Sequence, residues 1–363
     1  MTKRQRFFNR FQLLLLIVCI TTWGAGLLEA EQLELGKIYY GFKLSKEKEM
    51  KELDMVGLVF EHTKSGARLL KFKVNDDDNM ISIAFATPTN TDCGIPHIME
   101  HCVLNGSMKF PVKSPFDVLR KGSLNTFLNA FTGADITVYP ASSRNDKDFF
   151  NLMDVYLDAV FFPRIYDEPK ILQREGWHYA LEKKEGEIQV NGIVYNEDQG
   201  SFSNPQRELF YYINKYLFPG NTYGYSSGGH PDFIPDLTYE QFLDFHKKYY
   251  HPSNCYIILY GDGNILEELK FIDENYLSKF AKAVINADIP LQKPFDKMQE
   301  ITREYAISSD DDEKDNTWLS LNFVVGQASQ RNTSLALEIL NQVLLNLPSS
   351  PLHRALIDAG IGK

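Results

Sequence analysis

The amino-acid sequence predicts an α+β fold, in which helices pack on a mixed, largely antiparallel sheet. Short segments rich in apolar and β-branched residues, separated by polar breaks, occupy the chain from Ile38 to Thr87, as expected for strands. Apolar residues at helical spacing follow in Phe149–Val160 and again in Tyr239–Tyr249, which predicts amphipathic helices. A strand is expected once more at Cys255–Tyr260, after the breaker Pro252.

The composition is that of a folded protein and does not favour nucleic-acid binding. Of the 363 residues, 44% are hydrophobic and 24% are charged, and the formal net charge is -10. These proportions are typical of a globular chain that is long enough for two domains. Beyond the first dozen residues, no basic cluster alternates with aromatic residues. Nucleic acid is therefore not an expected partner.

The first 30 residues differ from the rest of the chain. A basic start is followed by an uncharged, leucine-rich stretch over residues 11–28. This pattern predicts a signal peptide or N-terminal anchor in residues 1–30, and hence an exported protein, periplasmic or secreted. Two alternatives stay open. The stretch could remain uncleaved and anchor the chain, as its only membrane contact, or the basic start could direct the protein to an organelle.

The first predicted elements are four strands, at Ile38–Leu44, Met55–Glu61, Ala67–Val74 and Met80–Thr87. The polar run Asn75–Asn79 lies between the last two and contains three consecutive aspartates. It lacks the spaced ligands and the glycine of a calcium-binding loop. We therefore expect a solvated hairpin turn at this position.

A short helix after these strands carries the residues with the clearest chemistry. Pro96 suits its first turn, where a missing N–H costs nothing. His97 and His101 are four residues apart and project from one helix face, close enough to bind one metal ion. Glu100 leans over the same face and, as a carboxylate outside the ligand set, suits a general base. The pattern HxxEH is typical of the inverted zinc-binding motif.

A solvated patch on an exposed helix is the alternative interpretation of these three side chains. The flanking residues argue against it, because Ile95, Ile98, Val103 and Leu104 predict a buried helix. Charged groups in a buried helix need a partner. A metal ion would satisfy all three polar residues together.

A catalytic zinc site needs a third protein ligand in addition to an open position. Two downstream glutamates are candidates. Glu197 follows the short apolar run that begins at Gly192, and Glu175 lies between Arg174 and Gly176. The residue pattern alone leaves both candidates open.

The last part of the chain predicts a second domain. Residues 31–284 are expected to form the first domain, and the irregular, proline-containing residues 285–300 a linker. A second, similar domain should begin in residues 301–363, with strands at Glu304–Ser308 and Trp318–Val325 and helices at Ser334–Leu347 and from Ser350. So few elements make a thin core, and we expect the sequence to stop inside this domain.

Several blocks of the sequence are similar, in this order, to one known family: His97–Leu104, Ser123–Thr132, Val138–Pro140, Gly192–Glu197, Ser227–Gly229 and His251–Asn254. Together they resemble the presequence protease branch of the M16 zinc metallopeptidases, the insulinase and pitrilysin type. The resemblance covers nearly the whole chain after the leader. It implies an α+β domain that occurs four times, paired into two bowls that close around a peptide.

The resemblance also implies a role for each matching residue. His97, His101 and Glu197 correspond to the zinc ligands and Glu100 to the base. The spacing from His101 to Glu197 is similar to that of the branch, which favours Glu197 over Glu175 as the third ligand. Glu175 is then expected to support a ligand from outside the coordination shell.

A substrate-binding edge is a further implication of the resemblance. Asn129, Ala130 and Phe131 match a stretch on a sheet edge, where the backbone of a substrate adds as a strand. Main-chain hydrogen bonds of this kind tolerate many sequences. Considered by residue type alone, an aromatic side chain such as Phe131 would instead be expected in the core.

Taken together, the resemblance implies a zinc-dependent endopeptidase or oligopeptidase that cleaves unstructured peptides and binds one zinc per chain. The chain would be the N-terminal part of a larger clamshell enzyme, whose second bowl supplies an arginine and a tyrosine in relatives. A separately encoded C-terminal half is a partner that fits this expectation. The alternative is a truncated, non-catalytic relict or a scaffold subunit that retains zinc or peptide binding.

Overall fold

A computed structural model describes residues 33–310, 314 and 316–360, so the predicted leader lies outside the described residues. Within them, none of the helices has both the length and the apolar character that a membrane span requires. The chain divides into two compact units. One comprises the described residues up to Gln199 together with Ser226–Ile289, and the other comprises Gly200–Tyr225 together with the described residues from Pro290 onwards. The predicted domain boundaries stay a prediction.

The first unit is built on a nine-stranded sheet. Its strands are β1 (Ile38–Tyr39), β2 (Phe42–Met50), β3 (Met55–His62), β4 (Arg68–Lys73), β5 (Asn79–Ala86), β6 (Asn125–Leu128), β7 (Phe131–Thr132), β8 (Ile136–Ser143) and β11 (Cys255–Gly261). The hydrogen-bonded order is β1-β2-β3-β4-β11-β5-β8-β6, and β7 also pairs with β8. A separate antiparallel pair is formed by β9 (His178–Ala180) and β10 (Gln189–Asn191).

The predicted mixed, largely antiparallel sheet is confirmed. Strand β11 pairs in parallel with β4 and antiparallel with β5, and the other pairs of the large sheet are antiparallel. Strand β11 is late in the sequence yet central in the sheet. Its side chains Ile257 and Leu259 are at most 1% exposed, so the late strand completes the core begun by the first strands.

Ten α-helices lie among the described residues: α1 (Ile95–Val103), α2 (Pro115–Gly122), α3 (Asp146–Phe161), α4 (Lys170–Glu175), α5 (Ile193–Phe202), α6 (Pro205–Leu217), α7 (Tyr239–Tyr249), α8 (Ile265–Asn275), α9 (Arg331–Asn341) and α10 (Pro351–Asp358). Helix α3 packs on β5, β6 and β8, and α1 contacts β7, β8, α4 and α7. Short 3₁₀ turns occur at Lys51–Leu53, Arg164–Tyr166, Thr222–Gly224, Ile234–Asp236, Pro252–Asn254 and Leu277–Lys279.

The helices predicted from periodicity begin at residues that cap them. The Asn145 side chain accepts a hydrogen bond from the Asp148 N–H at the start of α3. Thr238 and Gln241 form a reciprocal capping box at the start of α7, which satisfies N–H groups that have no partner inside the helix. Helix α3 buries most of its length, with Leu152 and Tyr156 fully inaccessible.

The second unit differs from the prediction. Residues 304–308 and 318–325, expected as strands, have no regular secondary structure, whereas α9, a π-helical turn at Gln342–Asn346, and α10 are present. A strand exists through hydrogen bonds to a neighbour, and within the described residues neither segment has a strand to pair with. The prediction of two strands here was therefore wrong for this structure, while the helical region was confirmed.

A buried ion pair joins the sheet to α8 in the first unit. The Lys71 Nζ lies 2.7 Å from the Glu268 Oε1, and both side chains are 1% exposed. Lys71 also donates to the Glu268 Oε2 at 2.8 Å. Burial raises the pKa of the Glu268 carboxyl, and the Lys71 charge opposes that shift. Each charge therefore depends on the other for its stability in the core.

Removing one partner of this pair should strongly destabilise the first unit. We expect Lys71→Met to lower the free energy of unfolding by about 3–5 kcal/mol, because it leaves the Glu268 carboxylate unpaired. The double variant Lys71→Met/Glu268→Leu should recover most of the loss. Urea denaturation measures both, with Lys247→Met as control, because the Lys247 and Asp244 pair is exposed. An equal effect of Lys71→Met and Lys247→Met would contradict this expectation.

The apolar run in the second unit should make the chain associate or be cleaved there. Leu319, Leu321 and Phe323 are 90%, 71% and 69% exposed, and exposed apolar patches promote association. We expect concentration-dependent oligomers in sedimentation experiments, or early cleavage within residues 300–330 in limited proteolysis. The variant Leu321→Lys/Phe323→Lys should reduce association. A wild-type chain that stays monomeric and resists proteolysis uniformly would contradict the prediction.

Candidate metal centre

Helix α1 begins at a close backbone contact. Gly94 precedes it with a φ of 68°, a left-handed conformation that glycine adopts without strain. A Cβ at Gly94 would lie 2.3 Å from the carbonyl oxygen of Gly228, so a larger residue would push the two segments apart. The neighbouring Ser227 carbonyl accepts a hydrogen bond from the His97 N–H at 3.4 Å. The Ser227–Gly229 motif thereby holds the start of α1.

The apolar face of α1 determines where its histidines point. Ile98, Met99 and Cys102 are inaccessible in the core. His97 and His101 lie on the opposite side, with their side chains 24% and 23% exposed. Rotation of the helix would expose its apolar face to water. The buried face therefore fixes the direction in which the two imidazoles point.

Helix α5 brings Glu197 against both histidines. The Glu197 Oε2 lies 3.8 Å from the His97 Nε2 and 3.7 Å from the His101 Nε2. One donor atom from each of the three residues lies within 4.8 Å of the others. The two imidazole rings are nearly perpendicular, with centroids 4.9 Å apart. The predicted ligand residues are therefore brought together around one point.

This donor set fits a zinc ion. Two neutral imidazoles and one carboxylate form a common three-ligand catalytic set, with bond lengths of about 2.0–2.2 Å. Tetrahedral geometry at those lengths separates ligand atoms by about 3.3 Å. The nitrogen-to-oxygen distances of 3.7 and 3.8 Å exceed this by only a few tenths of an ångström. The side chain of Glu197 is 51% exposed, so small rotations could close the difference.

Glu100 lies on α1 outside this ligand set. Its side chain is buried, with 7% of the residue exposed, and its Oε2 accepts a hydrogen bond from the Thr132 Oγ1 at 2.5 Å. Thr132 belongs to β7, so the carboxylate is oriented by the sheet edge as well as by its own helix. No local sequence pattern assigns this role to Thr132. Only the pairing of β7 with β8 brings it to Glu100.

Glu175 lies at the other nitrogen of His101. Its Oε2 is 3.5 Å from the His101 Nδ1, and its Oε1 accepts a hydrogen bond from the Arg174 Nε at 2.8 Å. Arg174 also donates to the Asn105 Oδ1 at 2.7 Å, and the Asn105 Nδ2 donates to the His101 carbonyl at 2.9 Å. These contacts close a ring around His101. Glu175 thus faces away from the point where the ligand atoms meet.

The pKa values of this pair reflect the contact. Burial raises the pKa of the Glu175 carboxyl, but hydrogen bonds to His101 and Arg174 outweigh burial and leave that pKa below its usual value. Burial lowers the pKa of the His101 imidazole, and the contact with Glu175 and the charges of Glu197 and Glu100 outweigh it, leaving that pKa raised. The lowered pKa favours the charged form of Glu175, and the raised pKa favours the protonated form of His101 beside it.

Asp198 is a residue that the sequence analysis missed. Its Oδ2 lies 3.7 Å from the His97 Nδ1, as Glu175 lies at the Nδ1 of His101. Successive residues on a helix point about 100° apart, so a position next to Glu197 does not by itself predict a shared site. Gly228 also belongs to this site, because it leaves room for the Asp198 carboxylate, but the sequence alone does not show that contact. A Cβ there would lie 2.9 Å from the Asp198 Oδ1.

The predicted substrate-binding residues lie at the edge of the large sheet. Strand β6 ends the strand order, and β7 pairs with β8 on the same side, with Asn129 and Ala130 between β6 and β7. The Asn129 N–H donates to the Pro140 carbonyl at 3.3 Å. Phe131 is 49% exposed and stacks on Phe127, with ring centroids 6.4 Å apart. The alternative of a core position for Phe131 is therefore wrong.

Comparison with known proteins identifies similar chains. The family model "Peptidase M16 inactive domain" matches residues 236–363, downstream of the metal centre. Protein HypA of Clostridium perfringens is 51% identical over 90% of this chain and 34% of its own length. Presequence protease 1, chloroplastic/mitochondrial, of Arabidopsis thaliana is 41% identical over 89% of this chain and 30% of its own length. The mitochondrial presequence protease of Xenopus laevis is 37% identical over 90% of this chain and 32% of its own length.

The chain therefore spans about a third of the length of the curated relatives that it matches. Among solved structures, pitrilysin superposes with a TM-score of 0.55 at 15% identity, over 70% of this chain and 26% of that chain. This likeness concerns the fold alone. It is consistent with the α+β architecture described above.

Removing the third ligand should release the metal. We expect the purified wild-type chain to hold about one zinc, and Glu197→Ala to lose it, because two imidazoles alone are a poor zinc site. Glu175→Ala should retain most of the zinc, with weaker affinity. Elemental analysis after gel filtration measures both. Full retention in Glu197→Ala together with loss in Glu175→Ala would show that the two glutamates have exchanged roles.

Proposed function

This chain belongs to the M16 peptidase family, in its presequence protease branch, and from that premise we propose that it carries the zinc-binding, catalytic site of a peptidase that cleaves unstructured peptides. One observation carries the proposal. The donor atoms of His97, His101 and Glu197 lie within 4.8 Å of one another, beside a buried glutamate that is not one of them. Three ligands and an adjacent base are what a hydrolytic zinc site requires.

In this proposal each residue near the site has a separate task. His97, His101 and Glu197 hold the zinc ion, which when bound would polarise the scissile carbonyl and acidify a water molecule. Glu100 accepts a proton from the attacking water and passes it to the leaving amine. Thr132 orients Glu100 through its hydrogen bond. Glu175 holds the imidazole of His101 through its Nδ1.

The substrate would bind along the sheet edge at Asn129, Ala130 and Phe131. A peptide that adds there as a strand gains main-chain hydrogen bonds whatever its side chains, so broad sequence tolerance follows. The exposed, stacked rings of Phe131 and Phe127 offer an apolar surface beside that edge. Thr132 follows directly in the same strand and contacts Glu100. A peptide on this edge would therefore pass close to the proposed base.

Because the curated relatives are about three times as long, we propose that full activity needs a C-terminal half, which could be encoded separately. Export directed by residues 1–30 remains our proposal for its location. The alternative is a relict or scaffold subunit that binds zinc or peptide without turnover. The next experiment distinguishes this alternative from an active peptidase.

Replacing the base should abolish cleavage without releasing zinc. We expect Glu100→Gln to keep the wild-type zinc content and to reduce chelator-sensitive cleavage of an unstructured peptide by about 10²- to 10⁴-fold, the usual contribution of a general base. Glutamine keeps the size and the hydrogen-bond acceptor for Thr132 but cannot take up the proton. A quenched fluorescent peptide reports the rate, with and without a C-terminal half from a relative.

The matched control is Glu182→Gln, the same chemical change at an exposed glutamate, which should leave the rate unchanged. Wild-type activity in Glu100→Gln would disprove the assigned mechanism. Zinc binding without cleavage, even when the C-terminal half is supplied, would instead support the relict alternative.

A further inference from the structure

A buried carboxylate lies behind His97 with no partner for one of its oxygens. Asp198 is 7% exposed. Its Oδ2 and the Nδ1 of His97 are both inaccessible to solvent, and neither makes a hydrogen bond. The two atoms are 3.7 Å apart, slightly beyond the length of a hydrogen bond.

Two unsatisfied polar atoms side by side in the interior are costly. A buried donor or acceptor without a partner loses its hydration and gains nothing in return, and the cost is greater for a charged carboxylate. Such atoms are uncommon in folded proteins, and each calls for a physical explanation. The simplest explanation is a state in which they bond to each other.

The backbone near Asp198 holds the carboxylate in this place. The other oxygen, Oδ1, packs against Gly228, where a Cβ would approach it to 2.9 Å. The adjacent Ser227 carbonyl bonds to the N–H of His97. The same loop therefore contacts both the carboxylate and the residue that it faces, and keeps the two side by side.

The position of Asp198 rules it out as an ordinary fourth ligand. The Glu197 Oε2 faces the Nε2 atoms of both histidines, whereas Asp198 faces the Nδ1 of His97, across the imidazole ring. Glu175 has the equivalent place at the Nδ1 of His101, at 3.5 Å. Each candidate ligand imidazole thus has a carboxylate on the side away from the ligand point.

We propose that Asp198 is a positioning residue for His97, an inference that rests on the proposed zinc site. When the Nε2 lone pair of His97 binds metal, the ring proton must be on Nδ1, and Asp198 accepts the hydrogen bond from that N–H. The bond requires the two atoms to approach from 3.7 Å to about 2.9 Å. It selects the tautomer and the ring orientation that present Nε2 to the metal.

Zinc affinity tests this role in the full chain. Carboxylates that support a metal-bound histidine typically change affinity by about 10- to 100-fold when removed. We expect Asp198→Ala to raise the zinc dissociation constant by about that factor, and Asp198→Asn by a smaller one, since its amide oxygen can still accept. Competition with a chromophoric zinc chelator measures the constants.

The matched control is Asp232→Asn. The Asp232 Oδ2 lies 3.8 Å from the Nδ1 of His230, but its side chain is 81% exposed and outside the candidate ligand set. This variant should bind zinc as the wild type does. The zinc-free Asp198→Asn protein should unfold at the wild-type temperature or higher, because it loses a buried unpaired charge. A merely structural role would lower that temperature and leave zinc affinity unchanged.

A second measurement needs no variant. In the zinc-loaded wild type, nitrogen-15 spectra of labelled histidine should show His97 protonated at Nδ1, with a proton that exchanges slowly with water. A rapidly exchanging Nδ1 proton, or wild-type zinc affinity in Asp198→Ala, would overturn the inference while leaving the zinc site intact. A wild-type chain that binds no zinc would instead overturn the proposed function, and this inference with it.

Discussion

The burial of one face of helix α1 is the constraint on which the candidate site depends. Ile98, Met99 and Cys102 lie in the core with no accessible surface, so the opposite face has a fixed direction. That face carries His97 and His101, and the carboxylate of Glu100 is held between the helix and the sheet by Thr132. Because a packed core resists rotation of its helices, the fold itself orients the side chains of the candidate ligands.

The charges of the same site agree with the proposed metal ion. Two imidazoles and the guanidinium of Arg174 lie among four carboxylates. Three of these carboxylates are nearly buried and Glu197 is half exposed; the buried ones are those of Glu100, Glu175 and Asp198. Like charges held this close in a poorly hydrated place repel one another, and positive charge placed between them lowers the energy. The chain as a whole has a net charge of -10, but that overall balance explains nothing here. The local concentration of carboxylates supports the proposed divalent ion.

The topology of the sheet links this charged centre to a surface where a peptide could bind. Strands β6 and β7 both pair with β8, and the chain between them leaves Asn129 exposed at the edge. The side chain of Tyr156 donates to the Asn129 carbonyl at 3.1 Å from helix α3, so the interruption between the strands is itself held in place. A strand edge that is held in place and lies next to Glu100, the proposed base, suits the recognition of extended peptides. The aromatic pair at Phe127 and Phe131 adds apolar surface without occupying the core.

The sequence by itself determined the elements that depend only on the spacing of residues within one segment. The HxxEH spacing places His97 and His101 on one helix face, and the periodicity of Tyr239–Tyr249 gives a helix with the predicted bounds. Pairing over long distances was decided by tertiary structure alone. Strand β11 joins β4 across about half of the chain. Trp318–Val325 stays irregular because a strand needs a neighbour. Tertiary structure also decided the contacts of Thr132 with Glu100 and of Asp198 with His97, because separate elements meet there. No local sequence pattern records which distant atoms will face each other.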